Sequence, residues 1–233
     1  MLFVQLLQIT EAGAPVAAAE VAAKATDQSV TILDLAMSGG IFMIPILLLS
    51  LAGVYIFIER LLSYKKADKD PQPFIDKIKE LVLDGDLNGA KLLCTQTDTP
   101  VARMIEKGLS RIGSPIKNIE AAIENVGKIE VYKLEKNLAG MATVSGGAPM
   151  LGFLGTVTGM IQAFIAIAQQ EGSVSPKLLS GGIYEAMVTT AAGLIVGIPA
   201  YMMYNYLIAR VQKIVHKMEY ASVEFLDLLQ ETK

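Results

Sequence analysis

The chain is short of the residues that most enzymes use. Its 233 residues include one cysteine, Cys94, and one histidine, His216. A single cysteine excludes an intrachain disulfide framework. Neither residue has the companions that a metal site needs. Cys94 reads as a small core residue, and His216 as a solvated residue near a membrane surface. The chain has no Walker motif and no carboxylate pair at a telling spacing. No basic stripe is interleaved with aromatics, which argues against nucleic acid as a partner. The expectation is a protein that is no enzyme, with no cofactor and no metal.

Charge is the other deficit. Only 18% of the residues are charged, where a soluble domain has about a quarter. Hydrophobic residues make up 52%, and the mean hydropathy is +0.46. The deficit is blockwise. Charges crowd between Glu59 and Lys136 and again after Arg210, and nearly vanish elsewhere. A membrane protein with a soluble insert has this pattern.

Residues 1–38 form a weakly charged tail outside the membrane, with a short amphipathic helix over Val30–Met37. Its first apolar run, Met1–Ile9, also admits a signal peptide, although no Lys or Arg precedes Lys24. Residues 39–62 hold the first span, because about 20 apolar residues at 1.5 Å each cover the roughly 30 Å of a bilayer core. Arg60, Lys65, Lys66 and Lys69 follow it. The positive-inside rule therefore places the N-terminus outside. Residues 63–115 form a helical insert, with a turn at Asp84-Gly85-Asp86. From Ile116 the apolar spacing predicts one long helix over 116–168 that enters the membrane as the second span. A loop over 169–182 returns to the third span in 183–233. Arg210, Lys213 and Lys217 put its far end inside. The predicted fold is all-α, with three transmembrane helices, two of which extend far into the cytoplasm as an antiparallel hairpin.

The second and third spans hold the informative residues. Gly152, Gly155 and Gly159 in one, and Gly193 and Gly197 in the other, allow close helix approach. They are expected to set the spacing between subunits. Pro149 and Pro199 are candidate kinks. Thr156 and Thr190 admit two readings. Each can bond its own helix at i−4, or the two can form a polar lining. Thr156 lies about 18 Å and Thr190 about 10 Å from the outer helix ends, at 1.5 Å per residue. Glu185 is either an interfacial anchor near a helix N-terminus or an ion contact at the entrance. Neither span carries an acid in its interior. A proton path here needs a titrating group from another chain.

The stretch Ala148-Pro149-Met150-Leu151-Gly152-Phe153-Leu154-Gly155-Thr156-Val157-Thr158-Gly159-Met160, with Ala163-Phe164, closely resembles the MotA/TolQ/ExbB proton channel family. So does Glu185-Ala186-Met187-Val188-Thr189-Thr190-Ala191-Ala192-Gly193-Leu194, followed by Ile198-Pro199-Ala200 and Tyr204-Asn205. The resemblance runs from about Ser38 to the end. Three spans make the chain ExbB-like, since MotA-type chains have four. The resemblance implies a homopentamer around a dimer of an ExbD-like single-span partner that brings a protonatable aspartate. It implies a TonB-like transducer, the inner membrane of a Gram-negative bacterium, and a proton path past Thr156 and Thr190 with Glu185 near its outer entrance. A TolQ-like role in envelope integrity, an energiser of another machine and a non-conducting scaffold are the alternatives. A secondary transporter fits worst, because no repeat or broken helix pair is present.

Overall fold

The computed structural model describes residues 39–169 and 176–231. The expected tail helix at 30–37 and the middle of the 169–182 loop lie outside them. The described residues form seven helices and no strand.

Helix α1 spans Met43–Ala67. Gly40, at φ +65°, turns the chain into it. Pro45 sits in its first turn, where a missing amide costs least. Lys65 and Lys66 occupy its last turn, where cations complement the helix dipole. The helix thus runs past the expected boundary at residue 62. Four short elements follow. Pro71 and Pro73 start α2 (Gln72–Leu83). The turn expected at 84–86 is present, with Gly85 at φ +77°. The Asp86 carboxylate accepts from the Gly89 amide at the start of α3 (Leu87–Thr97). The Thr99 hydroxyl accepts from the Ala102 amide at the start of α4 (Pro100–Leu109).

The helix expected over 116–168 is two helices, α5 (Ile116–Glu135) and α6 (Leu138–Ala168). Lys136 is extended at ψ 136°, and Asn137 is left-handed at φ 65°. No proline or glycine stands at the break. Its stabilising partners come from α1, as described below. The final helix, α7, runs from Pro176 to Glu231. It starts ahead of the expected residue 183 because proline favours the first helical position, and Gly181 and Gly182 do not interrupt it.

Helices α6 and α7 form the hairpin, and α1 packs on both. Towards the charged end, α2, α4 and α5 pack on the long extension of α7, and α3 packs on α2 and α4. Ile78, Cys94, Ile105, Leu109, Ile123, Ile214 and Phe225 are all under 2% exposed or at 2% there. Gly108 makes this closeness possible, since a Cβ on it would lie 2.6 Å from the Phe225 ring. The apolar stretches of α1, α6 and α7 are different. Leu48, Phe153 and Ile195 are more than 60% exposed. Three helices are long and apolar enough to cross a membrane, and exposed apolar surface on this scale needs lipid or another chain to cover it.

Candidate functional site

The site begins with the glycines. A Cβ on Gly152 would come 2.9 Å from Thr189 O and 3.2 Å from Gly193 Cα. One on Gly193 would meet Ala148 O at 2.6 Å and Gly152 Cα at 3.0 Å. Gly155 faces the Thr189 side chain, Gly159 faces Ala186, and Gly197 faces the Pro149 ring. All five expected packing glycines therefore hold α6 against α7 within one chain. The expected role in spacing one subunit from another is not where their open sides point. Pro149 is part of the same contact, and its ring fills the notch left by Gly197. Pro199 is exposed and lines a small apolar hollow with Gly53, Val144 and Met203.

This backbone proximity brings Thr156 and Thr190 together. Their hydroxyls are in direct contact. Thr156 Oγ1 also donates to Ala186 O on α7 at 3.1 Å, and Thr190 Oγ1 donates to Gly152 O on α6 at 3.1 Å. Each threonine thus reaches a carbonyl on the opposite helix. For Thr156 the own-helix acceptor weighed from sequence is also within reach, Gly152 O at 3.3 Å, as an alternative to Ala186 O for its one proton. From Pro176 and Ala168 as helix ends, Thr190 lies about 21 Å and Thr156 about 18 Å deep, at 1.5 Å per residue. Both are partly exposed. A hydroxyl donates once and accepts twice, so while both protons are held by carbonyls the pair presents acceptor lone pairs to a group arriving from outside the chain, and it donates only by giving up a carbonyl bond.

Thr189, which the sequence shows only as one position of the stretch from Glu185 to Leu194, has a definite place. It is 1% exposed, and its hydroxyl reaches Glu185 O at 2.8 Å and Gly39 O at 3.2 Å. It ties the chain ahead of α1 to the hairpin. The signal was its place one residue before Thr190, which turns it to a different face. Glu185 is half-buried, with its carboxylate against Gly40. It is five residues from Thr190, about 7.5 Å along the helix, and is not bonded to the threonine pair. Among the described residues no cluster suited to a metal ion occurs.

Ion pairs lie at the charged end. Asp68, just past α1, accepts from Lys217 and from Arg210, the latter at 3.1 Å. Burial pushes its carboxyl up, but the bond to Lys217 and the charges of Lys217, Lys213 and Arg210 bring it below the ordinary aspartate value. Glu130 on α5 is 2% exposed. Burial pushes it up as well, and the bonds from Arg103 (2.6 Å) and Lys133 (2.7 Å) lower it overall.

The model of the MotA/TolQ/ExbB proton channel family matches residues 96–220, which include the threonine pair and all five glycines. An ExbB homolog in biopolymer transport from Methanothermobacter thermautotrophicus is 29% identical over 191 residues, covering 81% of this chain and 67% of the relative. The biopolymer transport protein ExbB of Aquifex aeolicus is 34% identical over 140 residues, covering 60% of this chain and 88% of the relative. The Tol-Pal system protein TolQ of Haemophilus influenzae is 39% identical over 85 residues, covering 36% of this chain and 37% of the relative.

Proposed function

The chain belongs to the MotA/TolQ/ExbB proton channel family, and from that membership we propose that it is the ExbB-like subunit of a motor that drives uptake across an outer membrane. Its place is the inner membrane of a Gram-negative bacterium. The N-terminus faces the periplasm, and the charged ends of α1 and the hairpin face the cytoplasm. The cations Lys65, Lys66, Lys69, Arg210, Lys213 and Lys217 support that orientation. Five copies surround a dimer of an ExbD-like single-span protein, and a TonB-like protein carries the work outward.

The observation that carries this reading is the reciprocal threonine pair. It lies in two spans whose interiors hold no acid or base. The partner's aspartate supplies the titrating group. Thr156 and Thr190 offer its proton hydroxyl acceptors in a dry wall, and a donor when one of their carbonyl bonds is exchanged, so the proton can move without a full desolvation penalty. Glu185 stands nearer the periplasmic entrance. Conduction in this reading is a part played by position and hydrogen bonding, with no covalent chemistry.

The similarity to TolQ favours a second reading, a subunit that maintains the envelope. Deletion separates the two. The ExbB-like role predicts failed growth on scarce iron complexes with a detergent-resistant envelope. Detergent sensitivity with normal iron uptake would move the assignment to the TolQ-like role. A strain with neither defect contradicts both.

A further inference from the structure

The break between α5 and α6 is held from a distance. In an unbroken helix, Lys133 O and Leu134 O would accept from the amides of residues 137 and 138. With Lys136 extended and Asn137 left-handed, α1 supplies donors instead. Arg60 Nη1 donates to Lys133 O at 3.2 Å, and Tyr64 OH donates to Leu134 O at 2.9 Å. Asn137 Nδ2 donates to Glu59 Oε2 at 3.2 Å. The Glu59 carboxylate in turn holds the Arg60 guanidinium through Nε (2.7 Å) and Nη2. Arg60 is 4% exposed and Tyr64 is 2% exposed. They lie four residues apart, on one face of α1. From the other side, Glu130 is fixed by Arg103 and Lys133.

We propose that this break is a joint between the membrane hairpin and the charged arm, and that Arg60 and Tyr64 are the positioning residues that lock it. The apolar stripe of Ile119, Ile123, Val126, Leu134 and Leu138 crosses the break, so the local pattern supports an uninterrupted helix. Asn137 tolerates the left-handed conformation but does not require it. A straight and a broken arrangement are therefore two states of one segment, and the clamp selects the broken one. Buried donors and freed carbonyls need each other, because either alone is a buried polar group without a partner. Release of the clamp lets α5 move against α7 while α6 stays fixed by its glycines. Motion of α1 in the membrane thus has a direct route to the arm. The joint stands whatever ion crosses the membrane.

The test is a distance across the groove of about 680 Å³ between α5 and α7, whose rim carries Lys128 and Glu219. Spin labels replace these two exposed residues in the full-length chain, in a Cys94→Ser background. Excess unlabelled chain isolates the intrachain distance. The wild type and Asn137→Gly, which keeps the left-handed turn, are expected to give one narrow distribution. Arg60→Ala with Tyr64→Phe, and separately Asn137→Val, are expected to add a second, shifted population. Arg60→Lys, which keeps a donor, is expected to restore the first one in part. An unshifted distribution in the double variant at unchanged helical content overturns the proposal. Should that variant fail to fold, Asn137→Val decides in the same way, because it leaves every α1 donor in place. The distances need neither partner nor proton gradient, so a failed channel reading and a failed joint give different results.

Discussion

Thr156 and Thr190 are each bonded to the opposite helix, and a hydroxyl is what makes both bonds. Valine keeps the shape and removes the donor. Each lost neutral hydrogen bond costs about 1 kcal/mol of stability, too little to unfold a hairpin of this size. The glycines behave differently. Gly193→Ala drives a methyl group against Ala148 O and Gly152 Cα, which are backbone atoms that cannot rotate away. It should cost the hairpin about 1–3 kcal/mol, as overpacking does. Gly146 meets nothing within 4 Å. Gly146→Ala should leave the isolated chain neutral or gain up to about 1 kcal/mol of helix propensity. Thermal unfolding of the two variants in detergent checks the contrast. Asp68 gives a pH signature. Its folded pKa lies below the ordinary value of about 3.9, so its stabilisation is present at neutral pH and lost as pH falls through the lowered value. Asp68→Asn should cost about 1–3 kcal/mol at pH 7, by leaving Lys217 and Arg210 short of a partner. It should also flatten the acid limb of a melting-temperature profile.

At the scale of elements, the sequence disclosed what is local. The uninterrupted apolar run after Gly40 marks α1, and the apolar spacing from Ile116 marks the start of α5. The turn at Asp84-Gly85-Asp86 is where it was expected, with Gly85 at φ +77°. The break at Lys136–Asn137 was not legible, because its partners Arg60 and Tyr64 lie 73 and 70 residues away in sequence from the carbonyls they bond. The threonines divide the same way. Their type and the depth of Thr156 could be read from spacing, whereas Thr190 lies about 21 Å deep instead of about 10 Å, because α7 starts at Pro176 and not at 183; their reciprocal bonds depend on Gly152 and Gly193 meeting across the hairpin. The role of those glycines within one chain needed the fold. Cys94 on α3 was legible as core. It is 1% exposed, and burial, helped by Glu106, pushes its thiol up to about 12. The folded chain should resist maleimide at pH 8 and react once denatured, as a mass shift will report.

Taken whole, the molecule is a membrane hairpin with a helical arm at its charged end and a polar pair near the middle of its apolar length. Large apolar side chains on α1, α6 and α7 stay exposed, and a surface of this kind needs lipid or another chain to cover it. Its proposed work depends on what a partner chain brings to Thr156 and Thr190. The most direct measurement is proton flux into liposomes that hold this chain together with a single-span partner bearing a membrane aspartate, driven by a potential and read by an internal pH dye. The account predicts flux with both wild-type chains, and flux no faster than in empty liposomes when this chain carries Thr156→Val with Thr190→Val and still assembles. Wild-type flux through the assembled double variant would contradict it.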